Sequence, residues 1–477
     1  MPITSSSSTA IDVPTLVSQL MAVERRPIDT LTAKITSYET KISSYGTLSS
    51  LVSSFQSATK GLGTGLQALA TTPSDPSLFS ATVGSTSVPG TYSVNVSQLA
   101  QSQNLVATGQ TSSTTAIGSG TATTVTFTLG AISFDPLSGG SLTNGVYSGA
   151  GFTPGTTTPI SLTIDSTNNT LEGIRDAINT AAAGVTATIV NDGSGTPYRL
   201  ALASTSSGVS NGFSITVSGD SALSSLLSHD PAGTQNMNQT LAAQNANLTV
   251  NGIPIVSTAN AVSEAIQGVT LTLKNLTTTP ATVAVTRDST AINAAAAGFV
   301  DAYNALTSQI KSRSAYGVDG KGAGALAGDG TLRLLQEQMR SVFNTPVTGG
   351  TLTSLGQVGI SFQRDGTLKL DSSKLNSAVA ANFSDVAHLF SSPTGYVTRL
   401  DAWANSALAA GGPIDTRKQS LNNYVKDQNS AVDRLEIRMT ALQKKYTTEY
   451  TNLNLLLSSM NSTSTFLTNQ LASSQSK

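Results

Sequence analysis

The chain of 477 residues has no cysteine. Disulfides, thiol nucleophiles and thiolate metal sites are therefore excluded together. Histidine is almost as scarce. His229 and His388 stand alone, far apart in sequence, with no metal-ligand spacing around either. Charged residues make up 11% of the chain and the net charge is −1, so nothing marks a nucleic-acid or acidic-membrane partner. No apolar run is long enough for a transmembrane helix, and no membrane insertion is expected. Met1–Ala10 is rich in Ser and Thr and lacks the basic and apolar regions of a secretory signal peptide. No catalytic, cofactor-binding or metal-binding residue is read from the sequence, and no cofactor is expected.

The most informative absence lies at the C-terminus, where Ile414–Lys477 holds neither Gly nor Pro and follows Gly411-Gly412-Pro413. That is a start signal with no later breaker. Val425, Val432, Met439, Tyr446, Leu453, Met460 and Leu467 recur at strict seven-residue spacing. Leu421, Leu435, Leu442 and Leu456 share a second row with Gln428, Glu449, Thr463 and Gln470. A sustained heptad repeat predicts a helix that supercoils on another helix. At about 1.5 Å per residue it would span roughly 90 Å, more than one domain can cover.

The N-terminus carries the same spacing. Met21, Ile28, Ile35 and Ile42 form one row, and Val17, Leu31, Tyr38, Tyr45 and Val52 the other, with Glu24 interposed. An ordinary amphipathic bundle explains each end separately. Two heptad helices at opposite termini, with β-like sequence between them, favour one shared stalk. The expected coiled-coil and oligomer contacts are Ile28, Leu31, Ile35, Tyr38, Ile42, Tyr45, Val425, Val432, Leu435, Met439, Leu442, Tyr446, Leu453, Leu456, Met460 and Leu467. Asp12 is positioned to cap the first helix and Pro27 to interrupt it. Gly61, Gly63 and Gly65 predict a loop or hinge.

From about Ser77 the apolar period becomes two. Strands are expected over Thr91–Val96, Val125–Ile132, Ile160–Ile164, Val185–Val190, Tyr198–Ala203, Leu248–Val250, Ile253–Val256, Val269–Leu273 and Thr282–Val285. Asn251-Gly252 signals a type I′ turn. One short helix interrupts them, Thr170–Thr180, with Leu171, Ile174 and Ile178 on its apolar face. Its Glu172 and Asp176 are expected to point to solvent. Helices resume at Ile292–Ile310, Thr331–Asn344, Ser373–Phe390 and Tyr396–Ala410, around a hairpin at Val358–Leu370. The Gly-rich stretch Gly317–Gly330 is not a phosphate loop, because Gly322 follows Lys321 where Ser or Thr is required.

The expected fold is multidomain α+β, with long terminal coiled-coil helices, a helical domain bearing a β-hairpin, and two nested β-rich insertions. The expected boundaries are 1–42 with 430–477 for the coiled-coil leg and 43–76 with 288–429 for the helical domain. The inner β domain is expected at 77–108 with 241–287, and the outer one at 109–240.

The stretch Ile11-Asp12-Val13 to Leu31, with Leu16-Val17, Leu20-Met21, Glu24 and Pro27-Ile28, resembles the flagellar filament cap family, FliD, also called hook-associated protein type 2. Ile414-Asp415-Thr416-Arg417 and Leu456–Leu467 are similar to that family's C-terminal stretches. Asn169–Asn179 resembles the IN motif of flagellins and hook-associated proteins. The resemblance implies a secreted structural protein of the bacterial flagellum, with no catalytic residues. It implies a homo-oligomeric cap at the filament tip, where exported flagellin folds and inserts. It also implies junction hook-associated proteins as neighbours and a type III export chaperone on the C-terminal helical region. Alternatives are another axial flagellar protein, a tip adhesin binding host mucin or glycans through the β domains, and an extracellular glycan-acting enzyme.

Overall fold

A computed structural model describes residues 12–134, 141–143, 145–317 and 322–474. The expected signal-free start, part of the outer β insertion and Lys321 of the Gly-rich stretch lie outside the described residues. The chain divides into two compact units, one running up to Ala68 and resuming at Ser289, the other Leu69–Asp288.

In chain order, α1 (Val13–Glu24) and α2 (Arg26–Gly65) come first. The β-rich middle holds α3 (Leu171–Ala181) and α4 (Ser221–Leu227). Then follow α5 (Ser289–Ser314), α6 (Gly330–Asn344), α7 (Ser372–Ala381), α8 (Phe383–Ser391) and α9 (Tyr396–Leu408). The 62-residue α10 (Pro413–Ser474) ends the chain.

Local chemistry sets several of these boundaries. The Asp12 carboxylate accepts from the Thr15 N–H at 3.2 Å and starts α1. Pro27 cannot extend the α1 hydrogen-bond ladder, yet its fixed φ suits the first turn of α2. The expected hinge at Gly61–Gly65 is instead helical, and α2 continues through all three glycines. A tertiary contact explains the one at its end. A Cβ on Gly65 would lie 2.4 Å from the Ala295 Cβ, so glycine lets α2 and α5 approach there. The helix expected at Ser373–Phe390 is two helices. Asn382 leaves helical geometry at φ −157° and its side chain accepts from the Asp385 N–H, capping α8.

The helical unit packs around Phe55, which is fully buried. Its ring lies 5.5 Å from Phe299, 6.0 Å from Tyr303 and 6.2 Å from Trp403. Three helices, α2, α5 and α9, therefore meet at one side chain.

The β unit has two apolar cores. In the first, a five-stranded antiparallel sheet runs in the order 69–73, 281–287, 90–98, 246–250, 253–257. A three-stranded sheet, ordered 261–266, 269–273, 79–83, completes this core, which includes Phe79, Val94, Leu248, Leu271 and Val283. Asn251 (φ 49°) and Gly252 (φ 82°) form the expected I′ turn. Leu69–Pro73 pairs with Ala281–Arg287, so it belongs to this sheet and not to the helical part. Its five residues end in Pro and show little alternation, which hides them as a strand.

In the second core, the strand order is 185–191, 198–204, 104–106, 238–241 in one sheet. A second sheet is built on Thr123–Phe134, with Gly212–Ser218, Ala150–Pro154 and Ile160–Ile164 paired to it. α3 and α4 supply Ile174, Ile178, Leu223 and Leu227 to this core. Leu105 and Ala107 pack here too, on the far side of the boundary expected at 108.

Candidate assembly interface

The two ends of the chain meet along α10. Val13, Val17 and Met21 of α1 and Ile28 of α2 form one buried cluster with Met439. Val432, Leu435, Leu442, Tyr446 and Tyr450 pack against it. Arg25, at the break between α1 and α2, donates to the Glu436 carboxylate. Further along, the Tyr38 and Tyr424 rings stack at 5.6 Å. The heptad rows thus find their first partner within the same chain.

That partner runs out. Beyond Tyr450 most of the apolar residues of α10 are exposed: Leu453 by 41%, Leu456 by 56%, Met460 by 60% and Leu467 by 54%. Phe466 and Leu471, off the expected rows, are also open. From residue 451 to 474 the helix advances about 36 Å at ~1.5 Å per residue. No other element covers this face among the described residues.

The remaining residues of the expected set divide differently. Leu31 and Ile35 are half-buried on α2, as is Val425 on α10. Tyr38 and Ile42 pack on the core of the helical unit, and Tyr45 is inside it. Tyr45 is fully buried, so no second chain can reach its ring. Its hydroxyl donates to Asp329 Oδ1 at 2.6 Å. Asp329 Oδ2 accepts from Arg417 at 3.1 and 2.9 Å, and Oδ1 caps α6 by accepting from the Thr331 N–H. Burial alone would raise the Asp329 pKa. The hydrogen bonds from Tyr45 and Arg417 outweigh it and hold the carboxyl below its ordinary range. One carboxylate therefore fixes α2, α6 and the start of α10 to each other. A heptad reading of Tyr45 misses this, since nothing local announces Asp329.

α3 shows why its stretch has a recognisable sequence. Thr170 Oγ1 accepts from the Gly173 N–H at 3.0 Å. A Cβ on Gly173 would lie 2.4 Å from the Asn168 carbonyl oxygen. Asn169 donates to the Ile117 carbonyl, and Asn179 makes two bonds to the Ala187 backbone at 2.9 and 2.8 Å. Thr170 caps α3, and Asn169 and Asn179 lock it onto a neighbouring loop and strand. Glu172 is half-buried and accepts from Ser113 Oγ at 2.7 Å, contrary to the solvent position expected for it. Asp176 is exposed and paired with Arg175. Neither carboxylate stands free for acid–base work. The run Gly208-Val209-Ser210-Asn211-Gly212 has the spacing of a nucleophile elbow, which the sequence reading misses. It forms a short 3-10 turn into a strand, not a strand-to-helix elbow. Among the described residues no helix is long and apolar enough to cross a membrane.

Terminal helices that pair within the chain, β-rich sequence between them and an open apolar helix face are the features of a structural assembly protein. Two family models cover the ends: flagellar hook-associated protein 2 N-terminus over residues 9–103, and its C-terminus over 243–462. A third, the flagellin hook IN motif, covers 149–206 and includes α3. The chain is 34% identical to flagellar hook-associated protein 2 of Escherichia coli K12, covering 96% of each. It is 32% identical to the B-type protein of Pseudomonas aeruginosa PAO1, covering 91% of this chain and 90% of that one. The crystal structure of the D1-D2-D3 domains of the flagellar cap protein FliD from Escherichia coli superposes with a TM-score of 0.65 at 34% identity. It covers 80% of this chain and 99% of that one. The chain belongs to the flagellar hook-associated protein 2 (FliD) family.

Proposed function

We propose that this chain caps the distal end of a bacterial flagellar filament. Several copies assemble there, promote folding and insertion of flagellin beneath them, and prevent its loss. Membership of a family whose solved members are titled flagellar cap proteins supports the reading. The observation that carries it in this chain is the open apolar face of α10 beyond Tyr450, which needs neighbours to cover it. Those neighbours are further copies of the chain and flagellin, joined through Leu453, Leu456, Met460 and Leu467. In this division of labour, residues up to 42 and from 430 form a leg. The rest of the helical unit is its platform, and the two β cores are an inner and an outer domain. The protein acts outside the cell, after export. An export chaperone on the C-terminal helical region, junction hook-associated proteins, and host mucin or glycans on the β domains extend the same reading. Nothing in the comparisons favours the flagellin, junction-protein or adhesin alternatives as the main role.

The test is complementation of a strain lacking the protein. Wild-type chain should restore swimming and stop release of monomeric flagellin into the medium. A Leu456→Asp/Met460→Asp chain should be exported and folded yet leak flagellin as the null strain does. Full rescue by that variant would refute the role given to the open face.

A further inference from the structure

A cleft of about 260 Å³ opens in the helical unit between α5, α6 and the hairpin of Ile360–Phe362 and Leu368–Leu370. Its floor is aromatic. Tyr303 and Phe343 stand edge to face at 5.2 Å, and Phe362 lies 5.9 Å from the first and 5.3 Å from the second. Phe362 is 48% exposed, although its neighbours in the cluster are buried. Two guanidiniums border this floor, Arg340 from α6 and Arg364 from the hairpin turn. Among the described residues neither makes an ion pair. Beside Arg364, Asp365 is occupied in its own turn, accepting from the Thr367 N–H and hydroxyl at 3.0 and 2.7 Å, and Glu337, one turn before Arg340 on α6, is exposed and makes no ion pair among the described residues. No Asp or Glu lines the cleft.

An apolar floor under two unpaired cations is half of a recognition site. Guanidinium groups bind carboxylates in paired hydrogen bonds, and ring faces take an apolar body beside the charge. A phosphate would find the cations but would gain nothing from the rings. The amides of Gln336, Asn344 and Gln363 also line the cleft and suit the polar groups of a peptide backbone. The volume falls just short of the roughly 300–1,000 Å³ of sites for larger small molecules, and matches one or two side chains. We propose that this cleft binds an acidic peptide segment of another protein chain, with a Glu or Asp carboxylate on Arg340 and Arg364 and an adjacent apolar side chain on Phe362. This assignment does not depend on the capping role.

Met339 lines the cleft and gives it a reporter. Full-length chain labelled at the methionine methyl groups, with the Met339 signal identified by Met339→Leu, would be titrated with acetyl-Phe-Glu-amide. The expected result is a saturable shift of the Met339 signal, while acetyl-Phe-Gln-amide binds at least about tenfold more weakly, as loss of a charge-assisted pair requires. Arg340→Gln and Arg364→Gln should each weaken the glutamyl peptide about tenfold, without changing the circular dichroism, since both side chains are exposed. Equal binding of the two peptides, unchanged binding by the double variant, or no shift at millimolar peptide would overturn the proposal. Inorganic phosphate competing as well as the glutamyl peptide would overturn it in favour of a bare anion site.

Discussion

Acid should weaken the second β core before any other part of the chain, through His229. This side chain is fully buried. Its Nδ1 sits 3.1 Å from the Met237 carbonyl oxygen, which only accepts, so the neutral ring carries its proton on Nδ1. Nε2 then faces the core as a bare acceptor without a partner. Protonation would place a charge and an unpaired N–H there. Desolvation accordingly lowers the pKa from the ordinary 6.5 to about 4, against smaller opposing effects from the Met237 carbonyl and Asp230. The unfolded chain takes up the proton first, so native stability is complete above pH 6.5 and drains away as pH falls towards 4. Linkage with these two values gives a loss of about 2 kcal/mol at pH 5 and at most about 3 kcal/mol. The carboxylates of the same core, Asp192 and Asp220, are held near 2 by hydrogen bonds from Arg199 and Ser119 respectively, so their losses begin only at lower pH. The assay is amide hydrogen exchange at Ile215, whose N–H donates to the His229 carbonyl. Corrected for intrinsic rates, its protection should fall roughly thirtyfold between pH 7 and 5, as ~2 kcal/mol implies. A His229→Asn variant, which keeps a donor for Met237, should lose that pH dependence. If His229 titrates near 6.5 in the folded chain, or Ile215 protection holds steady to pH 5, the reasoning fails.

Met439→Asp should unseat α1 from α10 in the isolated chain, costing several kcal/mol at a dry seam. Leu453→Asp should leave monomer stability within about 0.5 kcal/mol and abolish assembly. Comparative melts and light scattering separate the two. Arg417→Ala should cost about 1–3 kcal/mol by leaving Asp329 short of a partner in a half-buried site, and Tyr45→Phe about 1 kcal/mol, both read by urea denaturation of the helical unit. Gly173→Ala should lower the melting temperature of the β unit without touching the helical signal, because its Cβ would collide with the Asn168 backbone. An unchanged melt would mean the loop before α3 yields freely.

What sequence reveals here is whatever repeats. The heptads of α10, the 3-4 spacing of α5 and the Asn251-Gly252 turn are each dictated within a few residues, and the structure carries all three. Contacts made at long range are not so encoded. Gly65 ends α2 against Ala295, more than two hundred residues away, where a Cβ would collide. Gly212–Ser218 is missing from the expected strands although Phe213, Ile215 and Val217 alternate with Ser214, Thr216 and Ser218, and it pairs along its whole length with Thr123–Phe134. The heptad row from Val425 to Leu467 is continuous in sequence, although α1 covers only the part up to about Tyr450. Periodicity states that a face is apolar, and the length of another element decides where that face is left open.

The Asp329–Arg417 pair has a consequence for timing around the helix axis. An α-helix is a screw with a fixed angle between residues, so clamping one side chain sets the direction of every later one. Leu453 follows Arg417 by 36 residues, or about ten full turns, and therefore points the same way around an unbent axis. Arg417 acts as an indexing pin for residues roughly 50 Å further on. Tyr38 on Tyr424, Arg25 on Glu436 and α1 on Met439 index the same screw again before the distal face begins. Copies that lost all of these contacts would keep a helical α10 and still assemble out of phase, a defect visible only in the assembled state.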